Sequence, residues 1–259
     1  MIEIGNPTQI RFIDVHCHLE NGDFDADRNE VIQRAKDNGI WIISSATAVE
    51  DYLKAANIAR AHDNVSLSLG LDPARYAEVD DALKDLESYE EEIVSIGETG
   101  LDHYIIRDHG QRELQAHTFR RMITRALELG RPIQVHSRSA GRAALEILVD
   151  SDAKQVHMHA FDGKASLARM ASNDLGYYFS IPTSVVRSPQ KRKLVKAVAL
   201  ERLLLETDSP VLAPLKGERN EPSNIHIALA EIGSILERGT EELRELILEN
   251  TLRLYRGLL

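Results

Sequence analysis

The chain has 259 residues, 43% hydrophobic and 28% charged, which excludes a disordered polypeptide and lets a large core be buried. Its 31 Lys and Arg against 41 Asp and Glu leave a formal net charge of −10, excluding tight non-specific binding to nucleic acid or an acidic membrane surface. The single cysteine, Cys17, rules out an intrachain disulfide and a thiolate zinc site, and suits a reducing, cytoplasmic location.

In chain order, the opening MIEIGNPTQI carries an acid and no basic cluster, so no secretory signal is expected, and no apolar run approaches the ~18 residues of a membrane span. The first strand-like run is IRFIDV from Ile10, which leads into Asp14-Val15-His16-Cys17-His18. A helical segment from Arg28 to Asn38 is closed by Gly39. The runs IWIISSAT from Ile40 and VSLSLGL from Val65 follow, then IVSIGE from Ile93, which finishes in Gly97-Glu98. Gln111 to Leu129 has the clearest helical period, with Phe119, Met122, Ile123, Ala126 and Leu127 on one face and a stop at Gly130 and Pro132. Next come PIQVHS from Pro132, ending in His136-Ser137-Arg138, and QVHMHA from Gln155, ending in His157-Met158-His159. YYFSIP from Tyr177 and RLLLETD from Arg202 complete the series, the last ending in Glu206-Thr207-Asp208. Glu218 to Leu259 reads as a long loop and then helices that close the structure.

Alternating strands and helices imply parallel pairing with right-handed crossovers. Eight such units in this length predict one (β/α)8 TIM barrel domain spanning residues 1–259. An open doubly wound sheet is the alternative, but it usually has fewer strands, and no GxGxxG or P-loop follows the first strand here.

Five of the predicted strands finish in a metal-competent side chain, at the end where barrel enzymes assemble their sites. A lone histidine at a strand end is ordinarily a hydrogen-bonded core or rim residue. Four imidazoles and two carboxylates converging on one cavity would repel one another or stay poorly solvated without cations, so the convergence predicts metal binding. His16 and His18, two apart, should project together. His62, His109, His117 and His226 are placed away from the mouth, His103 on a surface loop, and His157 deeper inside the barrel. Cys17 should point into packing, and Asp14, sharing the parity of His16, is expected to orient an imidazole.

These residues resemble the TatD family of metal-dependent hydrolases, within the amidohydrolase-like barrel superfamily. The likeness runs through DVHCHLE at Asp14, FDADRNEVIQRA at Phe24, GETGLD at Gly97, PIQVHSR at Pro132, HAFDG at His159, FSIP at Phe179, ETDSP at Glu206 and RNEP at Arg219. The HAFDG and FSIP forms look like one branch of the family. The resemblance implies that His16 and His18 hold one metal, Glu98 bridges two, His136 and His159 hold the second, and Asp208 supplies the strand 8 aspartate. It further implies divalent-metal-dependent phosphodiester hydrolysis of deoxyribonuclease type. Asp72 and Thr99 depart from the family's usual His and apolar residue.

The expected cofactors are two divalent ions, Zn, Mn, Co or Mg, which would lower the pKa of a bound water towards ~7. Glu98 and Asp208 are the expected catalytic carboxylates, Asp208 accepting the proton of the attacking water. Arg138 would grip a phosphate or sit in an exposed ion pair, and Arg219 and Asn220 would line the site. The basic stretch Arg187, Lys191, Arg192, Lys193 and Lys196 reads as a solvated helix face. The expected partner is a small phosphoester or DNA substrate, with no membrane. The same metal core would also suit an amide or lactone hydrolase, or a non-catalytic metal-binding scaffold.

Overall fold

The structure, a computed structural model, describes residues 10–258. All of the opening MIEIGNPTQI except Ile10 lies outside the described residues. The strands are β1 Phe12–Cys17, β2 Ile40–Ala46, β3 Val65–Leu69, β4 Ile93–Gly100, β5 Ile133–His136, β6 Val156–Met158, β7 Tyr178–Pro182 and β8 Leu203–Glu206. They form one eight-stranded sheet in sequence order, and each pair from β1–β2 to β7–β8 runs parallel. Helices α1 Arg28–Asp37, α2 Tyr52–Ala61, α3 Val79–Leu86, α4 His109–Leu129, α5 Gly141–Asp150, α6 Ala165–Asp174, α7 Pro189–Val195, α8 Ile225–Leu236 and α9 Thr240–Leu254 accompany the strands. This is the predicted (β/α)8 barrel. Among the described residues no helix is long and apolar enough to cross a membrane.

Helix boundaries follow local chemistry. Asp108 caps α4 by accepting the Gln111 amide hydrogen, and Gly130 ends it in the left-handed conformation. Leu127, expected on the buried face, is 47% exposed, because α4 turns a narrower stripe inward.

Alternation along the strands sorts side chains into two layers. Leu203 and Leu205 of β8 and Phe179 and Ile181 of β7 join the large cluster between sheet and helices. Their neighbours Leu204 and Tyr178 join Ile13, Val15 and Ile43 in a smaller inner cluster closed by Leu254, Tyr255 and Leu258. Tyr255 thus plugs the barrel from below.

The ring closes between β8 and β1. The Asp208 amide donates to the His16 carbonyl at 2.9 Å and the His18 amide donates to the Ser209 carbonyl at 2.8 Å. The buried Asp14 carboxylate accepts from the Thr207 amide at 2.8 Å and the Thr207 hydroxyl at 2.5 Å. Burial pushes the Asp14 carboxyl up to about 7 against these bonds. Asp14 therefore fastens the seam and does not orient an imidazole. The parity argument fails because the β1 ladder slips register between Asp14 and Cys17, a bulge that breaks the two-residue period.

Two glycines let β4 lie flush against β5. Gly97 and Gly100 have φ of +148° and +143°, and a Cβ at Gly100 would stand 2.2 Å from the His136 carbonyl oxygen. Gly100→Ala should therefore destabilise by about 1–3 kcal/mol, lowering Tm by roughly 2–12 °C in calorimetry. Gly239→Ala, where a Cβ meets nothing within 4 Å, should leave Tm almost unchanged.

Candidate metal centre

At the C-terminal ends of the strands, His16, His18, Glu98, His136, His159 and Asp208 come together. Their ligating atoms form three groups, His16–His18–Glu98, Glu98–His136–His159 and His16–His159–Asp208, each with all atoms within 4.8 Å. Glu98 belongs to two of them: one oxygen lies 2.5 Å from His136 Nδ1, the other 3.1 Å from His16 Nε2 and 3.7 Å from His18 Nε2. Asp208 faces the same space more loosely, at 3.4 Å from His18 Nε2 and 3.8 Å from both His16 and His159 Nε2. The His16 and His159 rings stack with centroids 3.7 Å apart.

The surroundings decide which nitrogen of each ring is free. His18 Nδ1 lies 2.7 Å from the Ser45 carbonyl oxygen, which can only accept, so Nδ1 carries the proton and Nε2 faces the carboxylates. The Gln134 amide nitrogen donates to the Val15 carbonyl, so its oxygen accepts from His16 Nδ1 at 2.8 Å and from the Ser45 hydroxyl. His16 Nε2 is then the free nitrogen. Glu206 accepts from His159 Nδ1 at 2.7 Å, from the Ser180 hydroxyl and from the Ala160 amide, leaving His159 Nε2 towards Asp208. Asp102 accepts from His136 Nε2 at 3.1 Å, which turns His136 Nδ1 to Glu98. All four rings turn their remaining nitrogen to the two carboxylates, the orientation that second partners impose on metal-binding histidines.

Protonation preferences show how strongly the carboxylates act on these rings. Burial opposes a second proton on His16 and His18, yet Glu98 outweighs it at His16, and Asp208 with Glu20 does so at His18, raising both. At His136 burial is overcome by Glu98 and Asp102, and the ring is pushed up to about 10. Burial would raise Glu98, but the charge and hydrogen bond of His136 and its imidazole neighbours hold it well below the usual carboxylate range. His159, held down to about 3 by burial, stays neutral. The carboxylates thus draw positive charge into the cluster, as protons on His16, His18 and His136, and a divalent cation bound by the same nitrogens would supply that charge in their place. The six side chains fit the implied metals.

Around this cluster a pocket of about 460 Å3 is lined by His18, Glu98, His136, His159 and Asp208 together with Glu20, Asp51, Asp72 and Lys54. A larger groove of about 720 Å3 between α6 and α7 contains none of the clustered ligands. Asp72 spends one oxygen capping the turn that begins at Pro73, accepting from the Ala74 amide at 2.6 Å. The Thr99 hydroxyl is buried without a hydrogen-bond partner.

Other expected site residues lie elsewhere. Asn220 is fully buried and donates to the Thr183 hydroxyl and the Thr207 carbonyl, so it braces the strand 8 loop instead of lining the pocket. Arg219 forks onto Asp27 at 2.6 Å and lies over Phe24, pinning that loop to the one after β1. Arg138 is exposed, its guanidinium 3.9 Å over the Tyr104 ring. His157 is buried between the Tyr255 and Ser180 hydroxyls. Lys191 departs from the solvated helix face: its ammonium donates to the Ala160 and Phe161 carbonyls and holds the turn after His159.

Sequence reasoning assigns no role to Glu206, Asp102 and Gln134. Glu206 stands two residues before Asp208, and Asp102 ends the GETGLD string, so both carried a positional signal. Gln134 had only its two-residue offset from His136.

A parallel eight-stranded barrel with a histidine and carboxylate cluster at its C-terminal mouth defines the metal-dependent hydrolase class of barrels. Comparison makes this specific: the family model for TatD-related DNase matches residues 13–256, and the chain belongs to that family. It is 37% identical to the human deoxyribonuclease TATDN3, over 95% of each chain. It is 34% identical to an uncharacterized metal-dependent hydrolase of Methanocaldococcus jannaschii, over 95% of this chain and 98% of the relative. The crystal structure of YjjV, a TatD homologue from Escherichia coli, superposes with a TM-score of 0.87 at 27% identity, over 95% of this chain and 98% of that one.

Glu206→Gln tests the pinning of the rings. An amide cannot accept from both His159 Nδ1 and the Ala160 amide through the same pair of atoms. The variant should fold and bind Mn2+ roughly 10–100-fold more weakly in calorimetric titration. Unchanged affinity would show that Glu206 does not set the His159 tautomer.

Proposed function

We propose that the protein is a phosphodiesterase of deoxyribonuclease type, acting on DNA ends or small phosphoesters with two divalent ions. The observation that carries this reading is the double use of Glu98, one oxygen towards His136 and the other towards His16 and His18. The human relative named a deoxyribonuclease supports the choice of substrate. Ions bound by these residues would supply Lewis-acid stabilisation of a phosphoryl oxygen and acidify water. The mixed nitrogen and oxygen donor set is compatible with Zn, Mn or Co, and less with Mg. A buried free thiol at Cys17 suits a cytoplasmic, reducing setting.

The chain's own residues divide the work. His16 and His18 with Glu98 would hold one ion, and His136 and His159 with Glu98 the other. Asp208 sits at 3.4 Å or more from every imidazole nitrogen facing it, so neither oxygen is committed to a tight hydrogen bond. It is held in place through its main chain, with φ of +56° and its amide on the His16 carbonyl. It is therefore the group free to accept a proton from the attacking water at a carboxylate oxygen. The acidic residues of the pocket oppose any phosphate that is not neutralised at the centre, consistent with weak non-specific affinity for nucleic acid.

Asp208→Asn should separate catalysis from metal binding. The amide keeps an oxygen but cannot take a proton at neutral pH. Turnover of a DNA oligonucleotide and of bis(p-nitrophenyl) phosphate should fall about 10²–10⁴-fold while metal content falls far less. A proportional fall of both would make Asp208 a ligand alone. Turnover of a lactone or an N-acyl amino acid in place of both phosphodiesters would overturn the assignment.

A further inference from the structure

The pocket around the ligand cluster holds more carboxylates than the candidate metal ligands account for. Besides Glu98 and Asp208 its walls carry Glu20, Asp51 and Asp72, and Lys54 is the only lysine or arginine lining it. Lys54 is itself tied to Asp25 at 2.9 Å. Glu20 faces His18 Nδ1 at 3.6 Å and accepts from the Ser44 hydroxyl at 3.4 Å. The positive charges of Lys54 and Arg75 ease Asp51.

Asp72 has no such relief and cannot turn away. Its amide donates to the Thr47 carbonyl at 2.9 Å, its carbonyl accepts from the Arg75 amide at 2.8 Å, and one carboxylate oxygen accepts from the Ala74 amide at 2.6 Å. Asp72 belongs to none of the three ligand groups, and among the described residues no lysine or arginine pairs with it. The charged groups that act on it most strongly are Glu98, His136 and Asp102, which sets it beside the proposed bridge between the ions. A fixed carboxylate without a cation partner works against the fold, and its charge is felt by whatever enters the pocket.

We propose that Asp72 makes the pocket a charge filter, which tolerates the single negative charge of a phosphodiester and rejects the double charge of a phosphomonoester. This rests on the phosphodiesterase reading and adds to it how substrate and product are told apart. In hydrolysis, water adds to phosphorus and the P–O bond to the leaving group breaks. One proton of the water leaves with the alcohol, and the monoester releases the other above pH ~6. The phosphate therefore passes from one negative charge to two, and repulsion by Asp72 doubles at the moment the product has to leave. Before that the filter does not slow the chemistry, because hydroxide and diester together carry the same charge as the transition state they form. Terminal phosphates are refused for the same reason that product is expelled.

The filter is tested by binding, apart from turnover. The full chain loaded with Mn2+ is titrated calorimetrically at pH 8 with dimethyl phosphate, a monoanion, and with methyl phosphate, a dianion. Asp72→Asn and Asp72→Ser remove the charge but keep an oxygen that can cap the turn at Ala74. Both variants should bind dimethyl phosphate about 5-fold and methyl phosphate about 25-fold more tightly than the wild type, since a charge effect on a dianion is the square of that on a monoanion. Asp72→Glu, which keeps the charge, should bind both probes as the wild type does. The gap between the probes should narrow at about 1 M salt. Equal tightening of both probes, no tightening of either, Asp72→Glu matching Asp72→Asn, or loss of metal from the neutral variants would overturn the filter. Failure of the wild type to hydrolyse any phosphodiester would instead contradict the phosphodiesterase reading, while the two binding ratios would still report on Asp72.

Discussion

Each of the four imidazoles at the mouth has its outer nitrogen tied to an acceptor on the protein, and this constraint organises the rest. Ser45, Gln134, Glu206 and Asp102 accept from one nitrogen of each ring, and the four remaining nitrogens face Glu98 and Asp208. A free imidazole would exchange tautomers and rotate; here both freedoms are removed before any ligand arrives. The barrel supplies the rigidity. Gln134 reaches Val15, Ser95 and Tyr255 across the interior, and Tyr255 continues to His157, Ser180 and Glu206. One polar layer thus links the plug at the base of the barrel to the groups that hold His16 and His159.

Such a layer is tolerated inside a barrel only because its members satisfy one another. His157, held by burial to about 3, remains neutral and bridges two hydroxyls. Burial raises the Glu206 carboxyl, whose oxygens are satisfied by three donors, His159 Nδ1, the Ala160 amide and the Ser180 hydroxyl. Concentrating carboxylates and imidazoles at one mouth works against the metal-free fold and in favour of cation binding, so stability and function are coupled through the same residues.

Much of this was legible in the sequence, for reasons specific to each element. The eight strands announce themselves because parallel barrel strands are buried on both faces and read as dense apolar runs. The six ligand candidates are legible because all end strands on one face. Asp14 was misassigned because a bulge in β1 cannot be read from alternation. Arg219 and Asn220 belong to a recognisable string, yet what they touch depends on how the last loop folds over Asp27 and Thr207. Lys191 looked like one charge in a solvated row; its inward turn follows from α7 packing close to the loop after β6.

The most direct test of the account is the number of ions that the centre holds. Protein reloaded with Mn2+ or Zn2+, freed of loose metal by gel filtration and analysed by mass spectrometry of the metal, should carry two ions per chain. A content fixed at one ion per chain, whichever metal is offered, would contradict a shared Glu98 between two sites and would require a mononuclear mechanism.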